Sequence, residues 1–370
     1  MNTLFTQTFG CRVPIMGAPM AGVSGGSLAA ATCHGGALGF IAAGHLLNAE
    51  ALRREVALFR LKAPLGALLS IGFITHSSMR DGVERVEQAL EEHRPDVVQY
   101  AMPGLFGRIP GRLLSKQENG DENVRIAHAV GAKVLVQVGS EADAVAALEA
   151  GVDGIIAQGR EAGGHGLRTD LATSTLPLAA RVAALVASSH QFHTGSRPMV
   201  LAAGGIVDGR GLAASLALGC DAAVFGTRLW ASLEATGGDN SKNALARAGP
   251  DDVVRTTVFD QLQNTYSNTP WPYPFDSVGA LQNKTTTRWH NKGGSPPNNE
   301  LAVALDDDNK DTATEFSSAT ANDDPSECCV YSGEGVGDIN RVDESAKCLI
   351  ERAESEAFES IRRLTSFAQL

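Results

Sequence analysis

The stretch KVLVQVGSEADAVAALEAGVDGIIAQGREAGGHG, residues 133–166, contains the pattern that decides the fold. It begins with the apolar run 134–138, continues through an alanine-rich segment, and returns to a second apolar run at 153–157. Ser140 is of a type that opens helices, and Gly151 is of a type that closes them. Continuous apolar runs are typical of parallel strands buried on both faces. The stretch therefore predicts a strand–helix–strand unit of a parallel sheet.

The same alternation extends in both directions and covers residues 13–226. Predicted strands occupy residues 13–18, 37–42, 65–74, 96–101, 133–138, 153–157, 199–203 and 222–225. Predicted helices occupy residues 24–34, 48–61, 78–93, 122–130, 140–150, 175–188 and 208–218. Strands that alternate with helices in this way predict an α/β fold, a TIM or (β/α)8 barrel. The alternative is an open doubly wound sheet, which would require some of these strands to be wrong.

The pattern changes after the last predicted strand, so the α/β unit is expected to end near residue 230. We expect a barrel over 1–230 and a lid or insertion region over 231–340. Within that region, 291–326 is rich in Asn, Asp, Ser, Thr and Pro, which predicts a flexible polar loop. Apolar residues recur at helical spacing near the end of the chain, so 341–370 is expected to be a C-terminal helix that packs back on the barrel.

Composition limits the classes of partner and the location. The net charge of −11 and the pI near 5.3 argue against nucleic acid or an anionic membrane as a partner. The six cysteines form no CxxC pattern, which favours reduced thiols in an intracellular protein. The chain starts without a signal-peptide pattern and has no run of about 20 apolar residues. A cytoplasmic protein without a metal site is therefore expected, and the oligomeric state stays open, a homodimer included.

The glycine-rich segment QGREAGGHG, residues 158–166, is the main candidate for a functional site. Its glycines allow the backbone to press against a flat or anionic ligand. His165 adds an imidazole, a group whose ordinary pKa lies near neutrality. Together they indicate a cofactor site with its own base. The alternative is a glycine-rich turn that holds a surface histidine.

Two glycine turns follow the seventh and eighth predicted strands, at Gly204-Gly205 and at Gly226-Thr227. In (β/α)8 enzymes the loops after these strands commonly form a phosphate site from backbone N–H groups at a helix N-terminus. Both turns fall at the expected strands, so they favour a phosphorylated ligand over two ordinary turns.

Two further strand ends give weaker signals. Residues 17–22 form a small, proline-bearing turn that could lie against an aromatic ring, or could be a turn without a functional role. Gln137 is a polar residue inside an apolar strand and needs a hydrogen-bond partner. That partner is either a ligand or the neighbouring backbone.

Taken together, these motifs resemble the nitronate monooxygenase family, formerly called 2-nitropropane dioxygenases. The matching segments are residues 14–22, 158–165, 202–206 and 225–228. The resemblance implies FMN on a TIM barrel and the oxidation of alkyl nitronates by O2 to a carbonyl compound and nitrite. It also implies a small-molecule substrate, for which propionate 3-nitronate is the family's suggestion.

The resemblance further implies a role for each matching residue. The FMN phosphate would be held by Gly204, Gly205, Gly226 and Thr227. The isoalloxazine and ribityl chain would be lined by Ala18, Met20, Gln137, Gly159, Gly163 and Gly164. His165 would be the catalytic base that takes the α-proton of a nitroalkane, or would orient an anionic nitronate. The strand at 68–76 departs from the family because it lacks the Asn or Gln that members often carry near the flavin.

Aromatic residues after the barrel are candidates for a lid over this site, with ordinary packing as the alternative. They are Tyr266, Trp271, Tyr273 and Tyr331. Two other functions also stay open at this point. One is an NAD(P)H-dependent flavin reductase that acts on a quinone or an enoyl thioester, and the other is a non-enzymatic barrel with a decayed site.

Overall fold

A computed structural model of the chain describes residues 1–44, 49–75, 82–101, 108–109, 112–113, 120–189, 196–264, 271–289 and 309–367. Its strands are β1 (Ile15–Gly17), β2 (Ile41–Ala42), β3 (Ser70–Ile74), β4 (Val97–Ala101), β5 (Arg108–Ile109), β6 (Arg112–Leu113), β7 (Lys133–Val138), β8 (Gly154–Gln158), β9 (Gly164–Gly166), β10 (Met199–Ala203), β11 (Ala222–Phe225), β12 (Val253–Thr256) and β13 (Ser277–Leu281). The helices that alternate with the barrel strands are α2 (Gly26–His34), α3 (Ala49–Lys62), α4 (Gly82–His93), α5 (Gly120–Ala129), α6 (Glu141–Glu149), α7 (Thr175–Ser188) and α8 (Gly209–Ala217). The others are α1 (Leu4–Phe9), α9 (Thr227–Trp230), α10 (Asp239–Arg247), α11 (Val258–Asn264), α12 (Lys284–Trp289), α13 (Asn309–Ala321) and α14 (Ala346–Phe367).

Eight parallel strands form the barrel, in the order β1-β11-β10-β8-β7-β4-β3-β2. The ring closes between β1 and the segment that leads into β2. There the Gly17 N–H donates to the Leu38 carbonyl at 2.8 Å, and the Leu38 N–H donates to the Ile15 carbonyl at 3.0 Å. The predicted (β/α)8 barrel is confirmed, and the open-sheet alternative is wrong.

The strands are buried on both faces, as their continuous apolar runs predicted. Side chains of one parity, such as Leu135, Ile156 and Leu201, fill the barrel interior. Those of the other parity, such as Val134 and Ile155, pack under the surrounding helices. This alternation of inward and outward residues is the rule for barrel strands.

The helix signals also have the expected structural basis. The Ser140 hydroxyl accepts a hydrogen bond from the Asp143 N–H at 3.2 Å, and the Asp208 carboxylate accepts one from the Gly211 N–H at 2.9 Å. Gly151 follows α6 with a φ of +75°, a conformation that L residues rarely adopt. Capping and helix ends therefore fix where each βα unit begins and ends.

A second sheet stands over the C-terminal end of the barrel. It is antiparallel, with β13 between β12 and β9, and β9 is the glycine-rich segment itself. Val278 of β13 pairs with His165, so a segment more than 100 residues further along the chain fixes the backbone of the histidine. The sequence did not predict these strands, because Gly-His-Gly has no strand pattern.

One prediction for the later part of the chain is corrected. The polar stretch 291–326 was expected to be a loop, but α13 forms within it. The buried side chains of Phe316 and Ala319, three residues apart on one helical face, explain why this segment folds. The first part of the stretch lies outside the described residues.

The last helix, α14, lies against α8 and α2. The Glu356 carboxylate accepts a hydrogen bond from the Gly209 N–H at 2.9 Å, at the start of α8. Glu354 forms an ion pair with Arg12, and Ile350 packs close to Gly35 at the end of α2. No helix within the described residues is both long enough and apolar enough to span a membrane.

Candidate active site

A cavity of 490 Å³ opens at the C-terminal ends of the barrel strands. This volume lies in the range of small-molecule and cofactor sites. All predicted site residues except Gly159 line it. These lining residues are Ala18, Met20, Gln137, Gly163, Gly164, His165, Gly204, Gly205, Gly226 and Thr227. Among the residues that the structure describes, no group of three or more His, Cys, Asp or Glu side chains could hold a metal ion.

Gly159 has a packing role instead of a place in the lining. Its N–H donates to the Ala203 carbonyl at 2.9 Å, and a Cβ at this position would lie 2.2 Å from Thr175 Oγ1. The start of α7 therefore presses directly against the backbone here. Its missing side chain makes room for this helix, and a contact of Gly159 with the flavin stays a prediction.

His165 points into the cavity and has a buried acidic partner. Its Nε2 lies 2.8 Å from Oδ1 of Asp260, and the two side chains are 11% and 2% exposed. The Trp271 ring stacks on the imidazole with centroids 3.5 Å apart and an angle of 15° between the planes. Tyr331 approaches from another side, with its ring centroid at 5.7 Å. The histidine is thus fixed by a carboxylate and by aromatic contacts, which a surface histidine would lack.

The lid candidates have different outcomes. Trp271 and Tyr331 line the cavity, whereas Tyr273 is exposed and its ring lies beneath the Arg168 guanidinium at 4.8 Å. Tyr266 lies outside the described residues. Asp260 was missed by sequence reasoning, because an Asp on a short helix far along the chain gives no local signal of contact with His165.

The glycine-rich segment is held by Arg255 of β12. The guanidinium donates to the Arg160 carbonyl at 3.0 Å, to the Ala162 carbonyl at 2.6 Å and to the Ser277 carbonyl at 3.1 Å. Burial lowers the pKa of Arg255 to about 10, against the raising effect of nearby glutamates. The group is still charged at neutral pH, so the carbonyls receive charge-assisted hydrogen bonds.

Two glutamines in the cavity wall form a chain of hydrogen bonds to the histidine. Gln137 Nε2 donates to Gln158 Oε1 at 2.7 Å, and Gln158 Nε2 donates to the His165 carbonyl at 3.2 Å. The partner that Gln137 requires is thus another side chain, which the sequence alternatives did not include. Gln137 still lines the cavity.

Gln99, on β4, is a further lining residue that the sequence argument missed. It is 1% exposed, and its buried Oε1 has no hydrogen-bond partner in the described ranges of the chain. A buried acceptor of this kind is costly unless a ligand or water satisfies it. The signal was available, because Gln99 interrupts an apolar strand in the same way as Gln137 does.

The two late glycine turns meet at one side of the cavity. Gly204 and Gly205 have φ values of +124° and +68°, which side chains other than glycine rarely adopt. The Thr227 hydroxyl accepts a hydrogen bond from the Gly333 N–H at 3.0 Å, so its oxygen is already partly engaged. Bare backbone N–H groups at the start of α9 complete this corner, because the first N–H groups of a helix have no partner within it.

Comparisons with known proteins show the family and the fold of the chain. The sequence model of the family described as nitronate monooxygenase matches residues 2–352. The nitronate monooxygenase of Neurospora crassa is 29% identical over 374 residues, which cover 96% of this chain and 91% of that protein. Nitronate monooxygenase npaC of Metarhizium robertsii is 32% identical, over 90% and 87% of the two chains. The structure of FabK from Thermotoga maritima has the same fold, with a TM-score of 0.74 at 23% identity over 99% of each chain.

Proposed function

Because this chain belongs to the nitronate monooxygenase family and is an oxidoreductase, we propose that it oxidises alkyl nitronates with bound FMN. Molecular oxygen would be the electron acceptor, and a carbonyl compound and nitrite would be the products. The observation that carries the proposal is His165, held by Asp260 in a cavity at the C-terminal end of the barrel. This is the end at which TIM-barrel enzymes build their active sites.

The residues of the cavity fit FMN. Gly204, Gly205, Gly226 and Thr227 offer close backbone approach at one side, as a phosphate group requires. The Gln99 amide lines the cavity, and a turn about its last side-chain bond would bring the buried Oε1, which has no partner among the described residues, to a ring N–H. It would supply a polar contact from β4 where β3 lacks the amide of other family members. We therefore assign the phosphate to the glycine corner and a flavin ring contact to Gln99.

FMN, when bound, supplies the capacity to accept two electrons and pass them to oxygen. The protein's own residues position the substrate and move its proton. With a nitroalkane, a neutral His165 takes the α-proton, and the electron pair of the broken C–H bond delocalises into the nitro group. This transfer requires the imidazole to lie within about 3 Å of the proton it removes. With a preformed nitronate, His165 only holds the anion in place.

Aromatic side chains protect this chemistry from water. Trp271 covers one face of the imidazole, and Tyr331 flanks it. Exclusion of water strengthens the interaction between a charged substrate and the protein dipoles around it. The substrate class, small nitronates, suits a cavity of this size with apolar walls.

The test combines a spectrum with a product assay. Purified protein should be yellow with flavin absorbance, and it should release nitrite from ethylnitronate in air. Nitroethane, assayed alongside, shows whether the neutral compound is also turned over. A colourless protein that cannot be reconstituted with FMN would refute the proposal. Rapid anaerobic bleaching by NADH or NADPH, without nitronate turnover, would support the flavin reductase instead.

The location and the quaternary state are further predictions. All six cysteines are free, which is the state predicted for an intracellular protein. We propose a cytoplasmic enzyme on this basis, to be tested by fractionation of cells that express it. Whether it forms a homodimer is a question for light scattering.

A further inference from the structure

The hydrogen bond between His165 and Asp260 determines which ring nitrogen carries the proton. An ionised carboxylate can only accept hydrogen bonds, so Nε2 must donate to the Asp260 Oδ1 that lies 2.8 Å away. In a neutral imidazole, one nitrogen is a donor and the other an acceptor. Nδ1 of His165 is then the nitrogen with the free lone pair.

Nδ1 is also the nitrogen left open by the surrounding structure. Among the described residues, no group forms a hydrogen bond to it, whereas Nε2 is engaged. Nδ1 is not one of the buried atoms that lack a partner, so it is not sealed inside the protein. Because His165 lines the cavity, its accessible nitrogen is available to a molecule bound there.

We infer that Asp260 is a positioning residue that holds His165 in the Nε2–H tautomer, so that Nδ1 is the atom that contacts substrate. This inference rests on the proposed function for its chemical consequence. Its structural content, the tautomer, can be measured without any turnover.

The surroundings of Asp260 support this role. The carboxylate is almost fully buried on α11, and its second oxygen, Oδ2, has no hydrogen-bond partner among the described residues. Within those residues, His165 is therefore the one side chain that donates a hydrogen bond to this carboxylate. The stacked Trp271 ring fixes the plane of the imidazole, and the pairing of His165 with Val278 fixes its backbone. Ring position and protonated nitrogen are thus both determined before substrate binds.

The consequence differs for the two forms of substrate. When a neutral nitroalkane reacts, its α-proton moves to Nδ1, its C–H bond breaks, and the electron pair remains on the substrate as a nitronate. The resulting imidazolium keeps its Nε2–H bond to Asp260, which stabilises the new charge. A preformed nitronate has no such proton to give up. Deprotonation of nitroalkanes should therefore depend on Asp260 much more strongly than the oxidation of nitronates.

The first experiment observes the tautomer directly. Full-length protein with ¹⁵N-labelled histidine gives long-range ¹H–¹⁵N correlations, and the His165 signals are those that His165→Asn removes. We expect the Nε2–H pattern at a pH where His165 is neutral. An Nδ1–H pattern in the unaltered protein would overturn the inference. This measurement needs neither a variant of Asp260 nor activity, so it stays informative if the proposed function is wrong or if Asp260→Asn does not fold.

The second experiment uses Asp260→Asn, which can present a donor to Nε2 and so favour the wrong tautomer. A comparable Asp→Asn change in a serine protease triad lowers kcat about 10⁴-fold for this reason. We expect kcat for nitroethane to fall by about 10²–10⁴-fold, and turnover of ethylnitronate to fall by less than about tenfold. The His165 correlations should change at the same time.

The matched control is Asp153→Asn, which breaks a second Asp–His pair of the same length far from the cavity lining. It should leave the ratio of nitroethane to ethylnitronate turnover unchanged. Equal losses on both substrates with Asp260→Asn, together with an unchanged His165 tautomer, would show that Asp260 only supports the fold, and would contradict the inference.

Discussion

Two histidine–aspartate pairs stand at opposite ends of the same barrel strand. Asp153 directly precedes β8 and lies 2.8 Å from Nε2 of His128. His165 follows β8 and lies 2.8 Å from Oδ1 of Asp260, again through Nε2. Both hydrogen bonds join an Nε2 to a carboxylate oxygen at the same distance, but their surroundings differ in the respects that matter for chemistry.

At the N-terminal end of β8, the Asp153 carboxylate accepts several hydrogen bonds. It accepts from Lys133 Nζ at 2.8 Å and from the Val134 N–H at 2.9 Å, and the His128 side chain is 34% exposed. Within the part of the chain that the structure describes, Asp260 has one side-chain hydrogen-bond partner and an unsatisfied second oxygen, and its histidine faces the cavity under Trp271. The first pair connects the starts of β7 and β8. The second pair leaves Nδ1 of His165 free to contact a bound molecule. Pair geometry alone therefore does not distinguish the two histidines; the end of the barrel at which each lies and the cavity do.

The largest expected effect is on the chemistry at the C-terminal end. His165→Asn should lower nitroethane turnover by about 10²–10⁴-fold, the usual contribution of a general base. The flavin should stay bound, because the other lining residues are unchanged. Nitrite release under air, with flavin absorbance as the measure of loading, tests this. The control is His128→Asn, and an equal loss of turnover in both variants would remove the distinction between the two pairs.

The next effect is on stability at the N-terminal end. Burial by itself raises the pKa of Asp153, but hydrogen bonds from His128, Lys133 and the Val134 N–H outweigh it, and the pKa is lowered. Asp153→Asn should therefore lower the free energy of unfolding by about 2–3 kcal/mol at pH 7. Urea denaturation of the purified protein measures this difference.

The pH dependence follows from the direction of that pKa shift. A carboxyl group with a lowered pKa stabilises the fold fully above the unfolded pKa of about 3.9, and this contribution is lost as the pH falls through the folded pKa. The stability difference between the unaltered protein and Asp153→Asn should thus shrink below about pH 4. A difference that stays constant down to pH 3 would show that the charge of Asp153 is not what stabilises this end.

A smaller effect is expected at Gln99, whose buried Oε1 has no partner among the described residues. Both carboxylate oxygens of Asp153, by contrast, accept hydrogen bonds. Gln99→Leu should weaken FMN binding by about tenfold, because one hydrogen bond contributes about 0.5–1.5 kcal/mol. It should not lower the stability of the FMN-free protein, since the lost Oε1 had no partner there. Fluorescence titration with FMN and thermal unfolding of the apoprotein give the two values. Unchanged affinity would remove Gln99 from the cofactor site.

The smallest effect concerns the stacked ring over His165. Trp271→Leu should reduce kcat/KM for nitroethane by about 2- to 10-fold, since an aromatic pair contributes about 0.5–1.5 kcal/mol. Steady-state kinetics measures it. Tyr273→Leu is the control from the same segment, because that ring is exposed and lies against Arg168. If both variants behave like the unaltered protein, the stacking is ordinary packing.

Much of the fold was predictable, because a buried parallel strand has a recognisable local pattern in the sequence. Each barrel strand carries a continuous apolar run, and residues such as Ser140 and Gly151 mark the helix ends. The glycine turns were predictable as cavity lining for a similar reason, because strand order places them at one end of the barrel. Gln99 could have been found by the argument applied to Gln137, a polar residue inside an apolar strand.

The remaining features could not be predicted, because their partners lie far away in sequence. The strand β9 exists only through pairing with β13, and α13 forms in a polar segment because Phe316 and Ala319 find an apolar surface to cover. Gly159 looked like part of a ligand site, but its neighbour is the start of α7. The local sequence indicates that a side chain is not tolerated at this position, but it does not indicate whether a ligand or another part of the protein lies there.

The sequence by itself favoured the barrel, the end at which the site is built and the histidine that faces it over the alternatives it left open. Hydrophobic periodicity and turn chemistry are local properties, and eight repeats of them admit one closed arrangement. Only the tertiary structure decided which nitrogen of His165 is free, because that depends on Asp260, 95 residues along the chain, reaching Nε2 at 2.8 Å. A hydrogen bond between distant segments leaves no pattern in the sequence, yet here it determines which ring nitrogen of His165 can accept a proton.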